Sequence, residues 1–153
     1  MSATTTQPVK SVSKPATPPL SENQLAVNAG EELVRQYHEW RQSFQTPAQR
    51  MALIRSICAR IAEAFNPEQI ILFGSHAYGT PTLDSDLDLL IVMPFTGSPL
   101  AQAVKISRPL KLMIPIDLIA RTCEQVNERL AMDDFFMLEI VERGKVMYEA
   151  QHR

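Results

Sequence analysis

The sequence predicts a mixed α/β domain, and three observations lead there. Short apolar runs of strand length stand at Ile70–Phe73, Leu89–Met93 and Ile114–Ala120. Around them lie longer stretches whose apolar residues recur every three or four positions, the period of a helix with one buried side. At 153 residues with 45% hydrophobic side chains, the chain is one domain's worth and can fill a real core.

Residues 1–20 are rich in Thr, Ser, Pro and Lys, lack acidic residues and offer almost nothing to bury. They are expected to form a disordered, solvated tail. Residues 21–45 read as a helical extension, with Leu33, Val34, Tyr37, Trp40 and Phe44 on one side and Glu31, Glu32, Arg35 and Gln36 on the other. Ala29-Gly30 is its weak point. Its apolar stripe either packs on its own domain or serves as a docking face for another protein, and both accounts stand.

The main domain spans residues 46–150. Thr46-Pro47-Ala48-Gln49 has the form of a capping box with proline in the first turn. The helix it opens is expected to bury Leu53, Ile54, Ile57, Cys58, Ile61 and Phe65 and to end at Asn66-Pro67. Two strands follow, then a turn-rich break at Pro94–Pro99 and a short helix from Leu100 to about Ser107. Lys105, Arg108 and Lys111 read as a solvated face. Ile114–Ala120 reads as a buried strand with one charged residue, Asp117; a lone carboxylate there is costly without a partner, which makes it a functional candidate. Thr122-Cys123-Glu124-Gln125 is a second capping box. Phe135–Val141 is apolar nearly all round, so the helix is either deeply buried or half-covered by another chain, and in so small a domain an interface is favoured; Gly144 closes it in the usual C-terminal manner before a last strand at Lys145–Tyr148.

A net charge of −2 argues against a protein that grips nucleic acid through a broad basic surface. Cys58 and Cys123 are isolated from each other and from the three histidines, so they read as buried reduced thiols. With no run long enough to span a bilayer and no signal-peptide core, a cytoplasmic location is expected and no membrane partner.

The chemistry concentrates between Ile70 and Met93. The first apolar run breaks at Gly74-Ser75, and Asp86-Leu87-Asp88 leads into the second. Residues two apart on a strand share a face, so Asp86 and Asp88 project side by side. Their repulsion is relieved by a cation, and oxygen ligands suit a hard divalent ion, Mg²⁺ above all. Gly74 lets the backbone approach a ligand, and Ser75 adds a hydroxyl and free N–H groups where a helix begins. A phosphate cradle facing a carboxylate pair is equipment for phosphoryl or nucleotidyl transfer.

Two rival motifs fail. Gly74-x4-Gly79 begins like a P-loop, but Thr80-Pro81 stands where Lys-Ser/Thr is required. Asp84-x-Asp86-x-Asp88 begins like an EF-hand loop, but Leu89 replaces its glycine and Phe95 its final Glu. A plain turn at Gly74-Ser75 with hairpin punctuation at Asp84, Ser85 and Asp86 accounts for each piece, though not for why they flank one another between two strands.

Gly74-Ser75 followed by Asp86-x-Asp88 at the mouth of a strand resembles the signature of the DNA polymerase β-like nucleotidyltransferase superfamily. Asp117 in Ile114-Pro115-Ile116-Asp117 fits the third carboxylate expected on a neighbouring strand, and Glu142–Glu149 resembles the close of the minimal nucleotidyltransferase (MNT) family. The resemblance covers roughly Arg50 to Glu149; His76 departs from it, since many relatives carry Arg there.

The resemblance implies a short mixed sheet with helices packed mainly on one face. It implies that Asp86, Asp88 and Asp117 hold two Mg²⁺ ions, that Asp117 helps deprotonate an acceptor hydroxyl, and that Gly74 and Ser75 hold the β- and γ-phosphates of ATP. His76 either touches phosphate or acceptor or is an ordinary loop residue. Aminoglycoside-modifying relatives carry an added helical domain and RNA-tailing relatives carry RNA-binding domains, neither of which is expected here. MNT proteins of this length are typically antitoxins that transfer AMP to a tyrosine of a separately encoded HEPN ribonuclease, in a hetero-oligomer. The ribonuclease's Arg-x4–6-His signature is absent from this sequence. The alternatives are an antitoxin that acts by occlusion alone and an enzyme acting on a small-molecule hydroxyl.

Overall fold

The computed structural model describes residues 21–42, 46–82, 84–112 and 114–151, without the side chains of residues 22, 23 and 40. The expected tail at 1–20 and the Trp40 and Phe44 side chains lie outside the described residues. The chain divides into two compact units, residues 1–35 and 36–153. Helix α1 (Glu22–Gln42) begins in the first, where Leu25, Val27, Leu33 and Val34 are exposed.

In the second unit, Thr46 caps α2 (Pro47–Phe65) through the predicted box. Its Oγ1 accepts the Gln49 N–H at 3.2 Å, and Gln49 Oε1 accepts the Thr46 N–H at 3.0 Å. Asn66, at φ 48°, ends the helix in the left-handed conformation just ahead of Pro67. Helix α2 then turns Ile54, Ile57, Cys58 and Ile61 inward.

Strands β1 (Gln69–Phe73), β2 (Leu87–Val92), β3 (Ile116–Arg121) and β4 (Lys145–Glu149) form one sheet in the order β3-β2-β1-β4. β1 runs antiparallel to β2 and β4, and β2 runs parallel to β3. Alternation divides the strands between two cores. Ile70, Leu72, Leu87, Leu89 and Ile91 join α2 and α4 (Pro99–Ser107) in the larger one. Ile71, Phe73, Leu90 and Val92 meet α5 (Cys123–Ala131) and α6 (Phe135–Arg143) in the smaller. The expected mixed sheet is therefore present, with the main helical layer on one face and a thinner one opposite. Among the described residues, no helix is long and apolar enough to cross a membrane.

Three local expectations change. β3 is not a buried strand but a terminal one, and Asp117 is exposed, so desolvation cost does not explain its presence. Cys58 is buried and its thiol is pushed up to about 12 by burial, but Cys123 is exposed, because it opens α5 beside the cap. Gly144 does end α6, yet at φ −65° it is extended rather than left-handed. A side chain there would meet the Ile140 carbonyl at 2.2 Å and Ile71 at 2.6 Å, so close packing selects the glycine.

Helix α6 presents two unlike faces. Met137 and Ile140 are buried, while Phe135 is 83% exposed and Phe136, Leu138 and Val141 are exposed beside it. Ile140→Ala is accordingly expected to cost about 2–5 kcal/mol in urea unfolding, whereas Phe135→Ala stays within about 0.5 kcal/mol of the parent. Equal losses would place Phe135 inside the core.

Candidate active site

The site forms where β1 ends and β2 and β3 begin. Phe73, the last residue of β1, pairs with Asp88 on β2, and Asp88 pairs in turn with Asp117 on β3. The parallel register therefore sets two carboxylates side by side on one face of adjacent strands. Asp86 precedes the strand by one residue and, two positions from Asp88, lies on the same side; Leu87 between them is buried in the larger core. Asp86 and Asp117 are exposed and Asp88 is half-buried.

This crowding marks Asp88 electrostatically. Partial burial first, then the charges of Asp117 and Asp86, raise its carboxyl from 3.8 to about 6. Among the described residues, no three His, Cys, Asp or Glu side chains are grouped closely enough to hold a metal ion between them. What the fold supplies is the Asp88–Asp117 pair with the charge of Asp86 nearby, an oxygen-only set of the kind that hard divalent ions take and whose mutual repulsion such an ion would relieve.

Gly74 connects these acids to the turn beyond β1. At φ 70°, ψ −155° it occupies a conformation closed to most residues, and an added Cβ would lie 2.1 Å from Asp88 Oδ2. The backbone thus runs directly against the carboxylate. One helical turn follows, α3 (Ser75–Tyr78), in which the Ala77 and Tyr78 N–H groups donate to the Gly74 carbonyl at 3.0 and 3.1 Å. The amides of Ser75 and His76 open that turn, where helix geometry leaves N–H groups without an intrahelical partner.

The loop from 79 to 86 is tied at several points. His76 Nε2 lies 3.3 Å from the Ser85 carbonyl oxygen, the Thr82 N–H donates to Ser85 Oγ at 2.8 Å, and Arg41 reaches Asp84 at 3.2 Å. Gly74, Ser75, His76, Asp86, Asp88 and Asp117 are thus gathered at one end of the sheet. Lys105, Arg108 and Lys111 are exposed, as expected of a solvated face. Arg121, which no motif in the sequence marks, lines an open cleft together with Asp117. The signal was its spacing, four residues along the same strand.

The nucleotidyltransferase domain family model matches residues 53–144, more than half the chain. The chain belongs to that family. The structure also resembles a protein described as a nucleotidyltransferase from Sulfolobus solfataricus, with a TM-score of 0.50 at 16% identity over 70% of this chain and 86% of the other. Weaker likenesses join it to a toxin–antitoxin crystallised with AMP-PNP (TM-score 0.42, 21% identity, 63% of this chain and 74% of that one) and to a mutant of the toxin–antitoxin MntA-HpeT (0.41, 18%, 63% and 74%). No curated protein matches the sequence.

A carboxyl raised to about 6 in the folded chain binds its proton more tightly there than in the unfolded chain, at 3.8. That contribution is fully present below 3.8 and is lost as pH rises through 6. In metal-free buffer, Asp88→Asn should therefore gain stability over the parent between pH 4 and pH 7. Urea unfolding of both proteins across this range measures the difference; a difference that does not change with pH contradicts the crowding.

Proposed function

We propose that this chain is an MNT-type antitoxin enzyme, which transfers AMP from ATP to a tyrosine hydroxyl of a separately encoded HEPN-type ribonuclease and so silences it. The observation that carries the reading is the Asp88–Asp117 register pair, with Asp86 on the same side and the Gly74 backbone against the Asp88 carboxylate. Family membership supports nucleotidyl transfer as the reaction class. The motif resemblance over Gly74-Ser75, Asp86-x-Asp88 and Asp117 supports the minimal branch, and the exposed apolar face of α6 supports life in a complex.

Asp86, Asp88 and Asp117 would hold two Mg²⁺ ions, which supply charge neutralisation for the triphosphate and a more acidic acceptor hydroxyl. Gly74 and Ser75 hold the β- and γ-phosphates through backbone N–H groups and the serine hydroxyl. His76 fastens this turn to the loop that leads into Asp86. Asp117 receives the acceptor proton as the hydroxyl oxygen forms its bond to the α-phosphorus. The bond from that phosphorus to the bridging oxygen of the β-phosphate breaks, and pyrophosphate leaves.

Asp117→Asn keeps the side chain's size on an exposed position and removes its charge, so folding and partner binding should survive. Co-expressed with the ribonuclease encoded beside it, the parent should add AMP to that partner by intact mass. Asp117→Asn should bind the same partner but modify it at least about a hundredfold more slowly, leaving the ribonuclease active. Full protection by a folded Asp117→Asn chain, with no added mass in either case, would establish occlusion instead.

A further inference from the structure

The turn that carries Ser75 is too short to hold itself. Helix α3 has four residues and no side chain caps its start. A single helical turn fixes more backbone freedom than its first hydrogen bonds offset. Its shape therefore depends on what grips the residues at its two ends, Phe73 and Tyr78. One helix reaches both. The Phe136 ring of α6 meets Phe73 edge-on, with centroids 5.8 Å apart. At the far end the Arg143 guanidinium, also of α6, lies over the Tyr78 ring at 4.4 Å from its centroid.

The second of these contacts is built at both of its ends. Tyr78 is half-buried against the smaller core, and its N–H donates to the Gly74 carbonyl at 3.1 Å. The residue under the guanidinium is thus also the one that closes the turn. On the other side, Glu139 accepts Arg143 at 2.9 Å from one turn earlier on α6. The next residue, Gly144, packs so closely on β1 that an added Cβ would lie 2.6 Å from Ile71 and 3.1 Å from the Leu72 carbonyl. Arg143 is therefore fixed relative to the strand that leads into the turn. Its own side chain is 57% exposed, so it fills no part of the core.

We propose that α6 splints the nucleotide turn and that Arg143 is a positioning residue for ATP, acting through Tyr78. The guanidinium is attracted to the face of the ring, and the ring so held keeps Gly74 and Ser75 in the arrangement that meets the β- and γ-phosphates. Arg143 itself touches no substrate. For the identity of the ligand the inference rests on the nucleotidyl-transfer reading; for its geometry it rests on α3 and α6.

The test titrates Mg²⁺ and ATP into the full chain by calorimetry, well below the melting temperature. Arg143→Met keeps a long side chain without the charge, and it should bind ATP about two- to fivefold more weakly than the parent. Arg143→Lys returns a cation to the ring and should recover part of that loss. Tyr78→Phe keeps the ring and should bind as the parent does. Tyr78→Leu should weaken binding at least as much as Arg143→Met, and the double variant should be no weaker than Tyr78→Leu alone, because the two changes remove one contact. Partial unfolding would lower the number of sites titrated rather than the affinity at each, so damage to the fold is read separately. Unchanged affinity in Arg143→Met overturns the positioning role, as does a lysine variant no better than methionine or a double variant whose losses add. Any of these, beside a parent that binds ATP, leaves the nucleotide reading standing. A parent that binds no ATP removes both.

Discussion

Asp86 and Asp88 turn towards one end of the sheet together because the opposite face of their strand is locked in the core. Leu87, Leu89 and Ile91 of β2 are buried to 1% exposure or less between α2 and α4. A slip of β2 by one residue would drive Asp86 and Asp88 into that core and expose the leucines. Apolar burial on one side thus maintains electrostatic repulsion on the other. The pairing with β3 then adds Asp117, and the close of β1 adds the Gly74 backbone against the Asp88 carboxylate. A positively charged ligand would relieve the repulsion that this packing maintains.

Most of this was legible because local chemistry and tertiary structure agree. The capping boxes at Thr46 and Thr122, the stop at Asn66-Pro67 and the period-two acids before Leu89 each depend on neighbours in sequence. What failed depends on neighbours in space. The run from Ile114 to Ala120 looks like a central strand, but nothing in it says that β2 covers only one of its edges. Gly144 looks like a left-handed cap, yet Ile71, over seventy positions earlier, is part of the reason it lacks a side chain. Arg121 escaped notice because it follows an apolar run rather than a motif, and only the folded cleft brings it into line with Asp117.

The exposed surfaces divide along the same logic. The inner side of α6 closes the smaller core through Met137 and Ile140, and Phe73 meets Phe136 edge-on at 5.8 Å, which ties the helix to the strand that ends at the site. Its outer side offers Phe135, Leu138 and Val141 to solvent. An apolar patch of this kind suits a stable partner.

The most direct measurement of the central claim is the melting temperature with and without Mg²⁺ and ATP together, in the parent and in the Asp86→Asn, Asp88→Asn double variant. The double variant retains the shape of the site and loses the charges that would hold the cation. Ligand binding to the folded state alone raises the melting temperature, so the parent should shift upward and the double variant should not respond. A double variant that shows the full parental shift would remove metal and nucleotide binding from these residues and contradict the account.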